Sequence, residues 1–434
     1  MWNMTQLEYG TLARRANQIK DELRQGVRRP YKEVIDVFQG DLHKAGMKPL
    51  TFVRQVNLDL YTLCKLITFP LSKDVRVALF HRFLQRVFTR RLSTAAICHL
   101  MQDRGPRRSW GDVLEGNILN VLVNREASPR TGVLIPVPCH NKTVLSIMQL
   151  GAVAVPYYLS EEQGWALQVE ELQRALESAK GVCNPVALYI INPGNPSQKS
   201  VQEVIRFAWE KRLFLLVDEV YQDCVYGENC EFVSYKRTLS EMGPPFSGTV
   251  ELASFHSVSK SFSGEYVCGL RAGYVELVNL DPAVMKYIHT LFSKDSCETV
   301  LGQIALDLMM DPPKPGDPSY LLYKQVGPEN FHEVVNSLPG FSCSPIEGGL
   351  FAFPRLHLTP KAIQKAKELG LQPDTFYCTR LLEEGGVFTG PGWEYGQKEG
   401  TYHIRFCIAV PQDVMEELLR RLSSFHMTFM KDFS

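Results

Sequence analysis

The sequence predicts an α/β protein: a mostly parallel sheet sandwiched by helices, with a smaller α/β domain attached. Three observations predict it. Between residues 131 and 275, short strands that are apolar along their whole length alternate with helical patterns. Strands apolar on both faces belong to parallel sheets covered on both sides. The run Asp311-Pro312-Pro313-Lys314-Pro315-Gly316-Asp317-Pro318 is a cluster of breakers that marks a boundary. Beyond it the alternation resumes on a smaller scale and closes on an amphipathic helix. The 434 residues suit two or three domains, at about 150 residues each.

Taken in order, Leu12, Ala16, Ile19 and Leu23 recur at helical spacing, so residues 6–25 are expected to be a helix that ends by Gly26 and Pro30. Residues 50–56 read as a short helix. The stretch 73–110 carries Arg76, Arg82, Arg86, Arg90, Arg91, Arg104, Arg107 and Arg108. It reads as a solvated amphipathic helix with Val77, Phe80, Leu84 and Val87 inward. It lacks the interleaved aromatic residues of a base-stacking surface, which argues against a nucleic-acid partner. Strands are expected at 132–136, 152–158, 187–191, 213–217, 252–256 and 271–275, with helices at 143–150, 169–178 and 201–212. A mostly helical region runs on to 310; past the breakers, 349–353 and 402–409 read as strands and 414–425 as a helix.

Composition narrows the class. The chain is 45% hydrophobic and 22% charged with net charge +0, which gives no global field for nucleic acid or a membrane. Its 11 cysteines are scattered without a C-x-x-C pair, which argues against a zinc site or a disulfide framework and for reduced thiols in the cytoplasm. The opening residues show no signal-peptide core. Apolar runs such as 213–217 are too short to span a bilayer. A cytoplasmic enzyme or binding protein with no metal and no membrane partner is expected.

Parallel sheets bind ligands outside the carboxyl ends of their strands, so the residues just past each strand carry the chemistry. Three clusters stand there. Asn192-Pro193-Gly194-Asn195-Pro196 follows one strand, Asp218-Glu219-Val220-Tyr221 follows the next, and Ser254-Phe255-His256-Ser257-Val258-Ser259-Lys260 ends the third, with Arg271-Ala272-Gly273-Tyr274 downstream. Each has an ordinary reading alone: the first as turn chemistry, Asp218 as a helix cap, Lys260 as a surface charge. Residues 194–200 mimic the tail of a P-loop but lack its second glycine and its spacing. Together the clusters gather an amide, a carboxylate and a lysine at one sheet edge.

In this order the motifs resemble those of the class I/II, fold-type I aminotransferases, which depend on pyridoxal 5′-phosphate (PLP); the alanine aminotransferase branch is the nearer match. The resemblance is carried by residues 22–26, 131–137, 191–196, 213–223, 251–260, 271–275 and 400–405, and so extends from near the start of the chain to near its end. It implies the PLP fold-type I architecture, transamination of L-alanine with 2-oxoglutarate, and a homodimer. It implies roles as well. Lys260 would carry PLP as a Schiff base and shuttle a proton. Asp218 would keep the pyridine nitrogen protonated. Asn195 and Tyr221 would bond the phenolic oxygen, Ser257 and Arg271, with Ser259 beside them, the phosphate, and Arg405 the substrate α-carboxylate. Residues 1–72 would form an N-terminal arm and part of the small domain, 73–310 the large PLP-binding domain, with 73–130 divergent, and 311–434 the C-terminal small domain.

The chain departs from the family in places. No Gly-Ala-Ser phosphate cradle precedes Thr131. Ser197-Gln198 stand where the family has Thr-Gly, and His140 stands where a tyrosine stacks on the ring. Tyr266-Val267 lengthen the spacing from Lys260 to Arg271. Each lost donor to a phosphate costs about 1.5–3 kcal/mol. The alternative that follows is a degenerate, non-catalytic aminotransferase-like protein with weak or no PLP binding.

Overall fold

The computed structural model describes residues 6–38, 96–99, 110–193, 198–226, 230–258, 260, 273–292, 309, 314–317, 320 and 330–434. The chain enters through the helix Gln6–Arg24 and a two-residue strand, β1 (Ile35–Asp36). The main sheet then takes seven strands: β2 (Ala96–His99), β3 (Arg130–Val137), β4 (Val153–Tyr158), β5 (Cys183–Ile191), β6 (Phe214–Asp218), β7 (Leu252–Ser257) and β8 (Gly273–Val278), in the order β2-β8-β7-β6-β5-β3-β4. Strands β3 to β7 are parallel; β8 runs antiparallel to β7, and β2 antiparallel to β8. The strand order reverses at β3, with β4 on one side and β5 on the other, so the carboxyl ends of β3 and β5 flank the point where such sheets open a crevice.

The apolar strands explain the layering. Along β5, Ala187 and Tyr189 face one core, with Ile118, Ile147 and Phe292 from the helices Trp110–Leu122, Asn141–Gln149 and Pro282–Phe292. Leu188 and Ile190 face the other, with Leu172, Val204 and Leu239 from Val169–Ala179, Gln198–Lys211 and Tyr235–Glu241. Successive side chains of a strand point to opposite faces, so a strand with both faces covered must be apolar throughout. Burying each Leu or Ile is worth about 1.5–3 kcal/mol. Gly132 lets β3 approach β5: a Cβ there would lie 2.7 Å from Cys183 Sγ and 3.2 Å from Pro185 Cα.

A second core joins the two ends of the chain. Leu12, Ala16 and Ile19 of the first helix pack with Leu418, Leu422, Phe425 and Phe429 of the last, Gln412–Asp432, whose buried residues keep the three-and-four spacing of an amphipathic stripe. Arg29 braces this junction, bonding Glu22 at 2.6 Å and Glu383 at 3.0 Å. The strands here are short: β9 (Phe341–Ser342), β10 (Phe351–Ala352), β11 (Arg355–Leu356), β12 (Val387–Phe388), β13 (Gly390–Pro391) and β14 (Ile404–Cys407). They pair as β10-β14-β13, β1-β12 and β9-β11.

Two expectations change. The strand expected at 349–353 is only two residues long, because Pro354 cannot extend the ladder. Within the arginine-rich stretch, Ala96–His99 is an edge strand rather than helix; four residues are too few for periodicity to reveal. The expected helix at 50–56 and the inward positions Val77 to Val87 lie outside the described residues. Strand β2 and the helix Trp110–Leu122 frame residues 100–109, which also lie outside them. Among the described residues, no helix is long and apolar enough to cross a membrane.

Candidate active site

The carboxyl ends of β5, β6 and β7 form one side of the site. Asp218 closes β6, in register with Ile191 of β5 and Phe255 of β7. Its Oδ2 accepts the Tyr189 hydroxyl at 3.1 Å, and its Oδ1 accepts the Val220 N–H at 3.3 Å. The next residue, Glu219, is buried. Its carboxylate accepts the Ser254 hydroxyl at 2.6 Å, the Asn192 amide at 2.9 Å and the Tyr235 N–H at 3.1 Å. Burial raises its pKa, against the pull of these three donors. Asn192 and Glu219 follow β5 and β6 and Ser254 lies within β7, so this cluster ties three adjacent strands together beside Asp218.

His256, buried on β7, has Nε2 2.8 Å from Gln222 Nε2. The amide nitrogen can only donate, so the ring nitrogen accepts and the imidazole is neutral. Burial lowers its pKa to about 4, and Asp223, 3.9 Å away, opposes this only in part. Ser257 ends β7 fully buried, and Lys260 follows it with its ammonium 6.0 Å from the centre of the Phe351 ring. Burial pushes the thiols of Cys224 up to about 12 and of Cys407 up to about 11, and the charge of Lys260 pulls both the other way. Lys260 therefore stands beside β14.

Arg405, on β14 and 9% exposed, forms the opposite side. Its guanidinium lies between two rings, 4.0 Å from the centre of Phe351 and 3.8 Å from that of Tyr395. One nitrogen donates to the Phe38 carbonyl at 2.7 Å; Nε is buried without a partner. Gly390 makes room for this arrangement: a Cβ there would meet the Tyr395 hydroxyl at 2.7 Å. Strand β13 places Gly390 opposite Arg405. A buried cation with an unpaired N–H is costly unless an anion meets it.

The structure thus sets Asp218 and Ser257 at the ends of neighbouring strands and Lys260 and Arg405 against the Phe351 ring, and Tyr221 lies in the turn after β6, packed against the second core. Asn195, Ser259 and Arg271 lie outside the described residues. His140 caps the helix Asn141–Gln149, its Nδ1 accepting the Lys142 N–H at 3.1 Å. Sequence reasoning missed Tyr189, Glu219, Phe351 and Tyr395. Tyr189 left one signal, a hydroxyl within an apolar strand near its carboxyl end; Phe351 and Tyr395 left none, because their role depends on which strand pairs beside them.

The residues fit a PLP cofactor. Asp218 offers a carboxylate to a protonated pyridine nitrogen, Tyr221 and Ser257 offer hydroxyls, and Lys260 offers the amine. Arg405 offers a bidentate site for a substrate carboxylate.

Comparison with known proteins agrees. The family model for aminotransferase class I and II matches residues 116–422. Human alanine aminotransferase 1 is 42% identical over 461 aligned positions, covering 98% of this chain and 92% of that protein. Alanine aminotransferase 2 of Xenopus laevis is 42% identical over 463 positions, covering 98% and 85%. Among solved structures, an alanine aminotransferase from Pyrococcus furiosus superposes with a TM-score of 0.68 over 96% of both chains at 18% identity. An aminotransferase from Escherichia coli gives 0.69 over 97% and 95%, also at 18% identity. At that identity the structures speak for the fold, which is the expected fold-type I architecture. On the family match and the near full-length identity, this chain belongs to the class I and II aminotransferase family.

Proposed function

We propose that this chain is a PLP-dependent L-alanine:2-oxoglutarate aminotransferase. The observation that carries the reading is that Lys260 and Arg405 both face the Phe351 ring, with Asp218 at the adjoining sheet edge. Transamination of an α-amino acid needs an amine that captures the cofactor, a carboxylate for its ring nitrogen and a cation for the substrate carboxylate. The named relatives support alanine as the donor.

When bound, PLP supplies the electron sink for the pair left on Cα after proton loss. Asp218, held by Tyr189 and the Val220 N–H, would keep a proton on the ring nitrogen. Tyr221 and Asn195 would bond the phenolic oxygen, and Ser257 and Arg271, with Ser259, would take the phosphate. Lys260 would hold the cofactor through Nζ, and the same Nζ would move the Cα proton as general base and general acid, a role worth about 10²–10⁴-fold in rate. Arg405 would donate to the α-carboxylate from its Nε edge, while the two rings confine the guanidinium to one plane and shield it from water. A cation over an aromatic face gains about 2 kcal/mol when desolvated.

The test begins with the purified chain and PLP. A visible absorption band is expected that borohydride fixes on Lys260; alanine bleaches it and yields pyruvate, and 2-oxoglutarate restores it and yields glutamate. Lys260→Ala is expected to form no such band. A band that alanine leaves untouched would reject the enzyme and keep the cofactor. No band at all would leave the degenerate, weakly binding relative. We also read the chain as a cytoplasmic homodimer, supported by its scattered thiols and its family; light scattering at micromolar concentration tests the dimer.

A further inference from the structure

One loop of the main-sheet side grips the second core close to Arg405. It follows β4 and is closed by the bridge Ser160–Ala166 and by the Trp165 N–H on the Ser160 carbonyl at 2.7 Å. Trp165 adopts φ +66°, a left-handed conformation that costs a bulky residue about 1 kcal/mol or more and persists only where the surroundings enforce it. The surroundings are these. The Glu161 carbonyl accepts the Ser344 hydroxyl at 3.2 Å. Glu161 Oε2 lies 3.2 Å from His403 Nε2 and 3.6 Å from Arg355. The Trp165 ring meets Phe353 and His403 edge-on at 5.5 and 5.8 Å, and His403 lies flat on Phe353 at 4.7 Å.

The hydrogen bonds continue inward. His403, 3% exposed, has Nδ1 2.9 Å from Gln397 Oε1. Gln397 Nε2 donates to Asp374 Oδ2 at 2.8 Å, and the same oxygen accepts the Trp393 N–H at 2.8 Å. Trp393 and Tyr395 share one 3-10 turn, Gly392–Tyr395, and the Tyr395 ring lies on Arg405. Asp374 accepts from the Gln397 amide nitrogen and so turns the amide oxygen toward His403 Nδ1, while the Glu161 carboxylate faces Nε2. The charged groups facing it are Glu161 and Arg355 directly, and Asp374 beyond Gln397.

We propose that Glu161 is a positioning residue for Arg405: through His403, Gln397 and Asp374 it fixes the turn that holds Tyr395 against the guanidinium. The proposal rests on the reading of Arg405 as the clamp for the substrate carboxylate. It assigns to a main-sheet loop the alignment of a group on the opposite side of the site. Glu161 touches neither cofactor nor substrate in this account and acts only through the chain of contacts.

The experiment uses the PLP-loaded protein with Glu161→Gln, Glu161→Ala and, as a control on the same loop, the exposed Glu162→Ala. Two readouts are taken: KM and kcat for alanine and 2-oxoglutarate, and the dissociation constant of glutarate, which has the carboxylates of 2-oxoglutarate but no group to react. Glu161→Ala is expected to raise KM and the glutarate constant about tenfold, with kcat within about threefold and the visible band unchanged. Glu161→Gln, which keeps an oxygen and the shape of the side chain, is expected to lose less affinity than Glu161→Ala. An unchanged glutarate constant in Glu161→Ala, an equal loss in Glu162→Ala, or a larger loss in Glu161→Gln than in Glu161→Ala would each overturn the proposal. If the parent forms no band, the functional reading fails separately, and glutarate binding still decides whether Glu161 governs a carboxylate site.

Discussion

The two sides of the site hold their charges by different means. On the main-sheet side, Asp218 and Glu219 are held by Tyr189, Asn192 and Ser254 at 2.6 to 3.1 Å, each from a strand or strand end next to β6. On the other side, Arg405 lies between two rings at 4.0 and 3.8 Å, and the turn that carries Tyr395 is anchored on the fully buried Asp374. The first arrangement follows from strand register, which fixes which neighbours meet. The second is assembled from loops and stacked rings that meet only after the chain has closed on itself. The difference assigns distinct consequences: damage at the sheet edge should fall on the chemical step, damage on the Arg405 side on substrate binding.

The largest expected effects test this division. Asp218→Asn removes the charge that faces the pyridine nitrogen and should lower kcat by about 10²–10³, the range for loss of one preorganised electrostatic contact, with KM little changed. Arg405→Lys keeps the charge but loses the planar fork and the stack. It should raise KM for both substrates by about 10–100-fold, the equivalent of about 1.5–3 kcal/mol for a charged hydrogen bond, with kcat much less affected. Steady-state kinetics on both variants decide; if Asp218→Asn changed KM alone and Arg405→Lys changed kcat alone, the division would be inverted.

Glu219→Gln comes next. The amide keeps one oxygen for the Asn192 and Tyr235 donors but turns N–H groups toward Ser254, which must reorient to accept. The expected cost is about 1–3 kcal/mol of stability, seen as a lower denaturant midpoint with an unchanged slope. Because Asn192 follows β5 and Ser254 lies on β7, the two strands that flank Asp218, PLP affinity should fall with it. A variant as stable as the parent would show that register alone holds this edge.

How much of this was legible beforehand follows the same divide. The apolar runs of β3, β5, β6 and β7 announced a covered parallel sheet, and sheets of that kind expose chemistry at their strand ends; Asp218, Ser257 and Lys260 therefore stood out by position. Asn195, Ser259 and Arg271 were named through the family resemblance and lie outside the described residues. Arg405 was legible only through family resemblance, since a single arginine in a strand has no pattern of its own. Phe351, Tyr395, Asp374 and His403 were not legible at all. Phe351 and Tyr395 sit on a two-residue strand and a short turn, where no periodicity develops; Asp374 begins the helix Pro373–Arg380 and His403 stands just before β14, and their partners are as distant in sequence as Glu161 is from His403. Glu219 was read as part of a motif whose first carboxylate did the work; its burial, which makes it the clasp of the edge, is a property of the folded sheet.

The smallest expected effect is a pH dependence in which the two sides oppose each other. Burial pushes the Asp374 carboxyl from an ordinary 3.8 up to about 6, so the folded protein holds a proton that the unfolded chain has already lost. The stability this contributes is complete below about pH 4 and is lost as pH rises through 6. His256 is pushed from 6.5 down to about 4, so there the unfolded chain binds the extra proton. Its contribution is complete above about pH 6.5 and is lost as pH falls through 4. Between pH 4 and 6 the two slopes cancel in the parent protein. Asp374→Asn removes the falling slope, and stability should then rise with pH, relative to the parent, by about 1 kcal/mol per pH unit. His256→Gln should show the opposite change of similar size. Denaturant titrations at pH 4.5, 5.0 and 5.5 measure both. Parallel lines for parent and Asp374→Asn would mean that Asp374 stays ionised in the fold, and that its bonds from the Trp393 N–H and the Gln397 amide outweigh its burial.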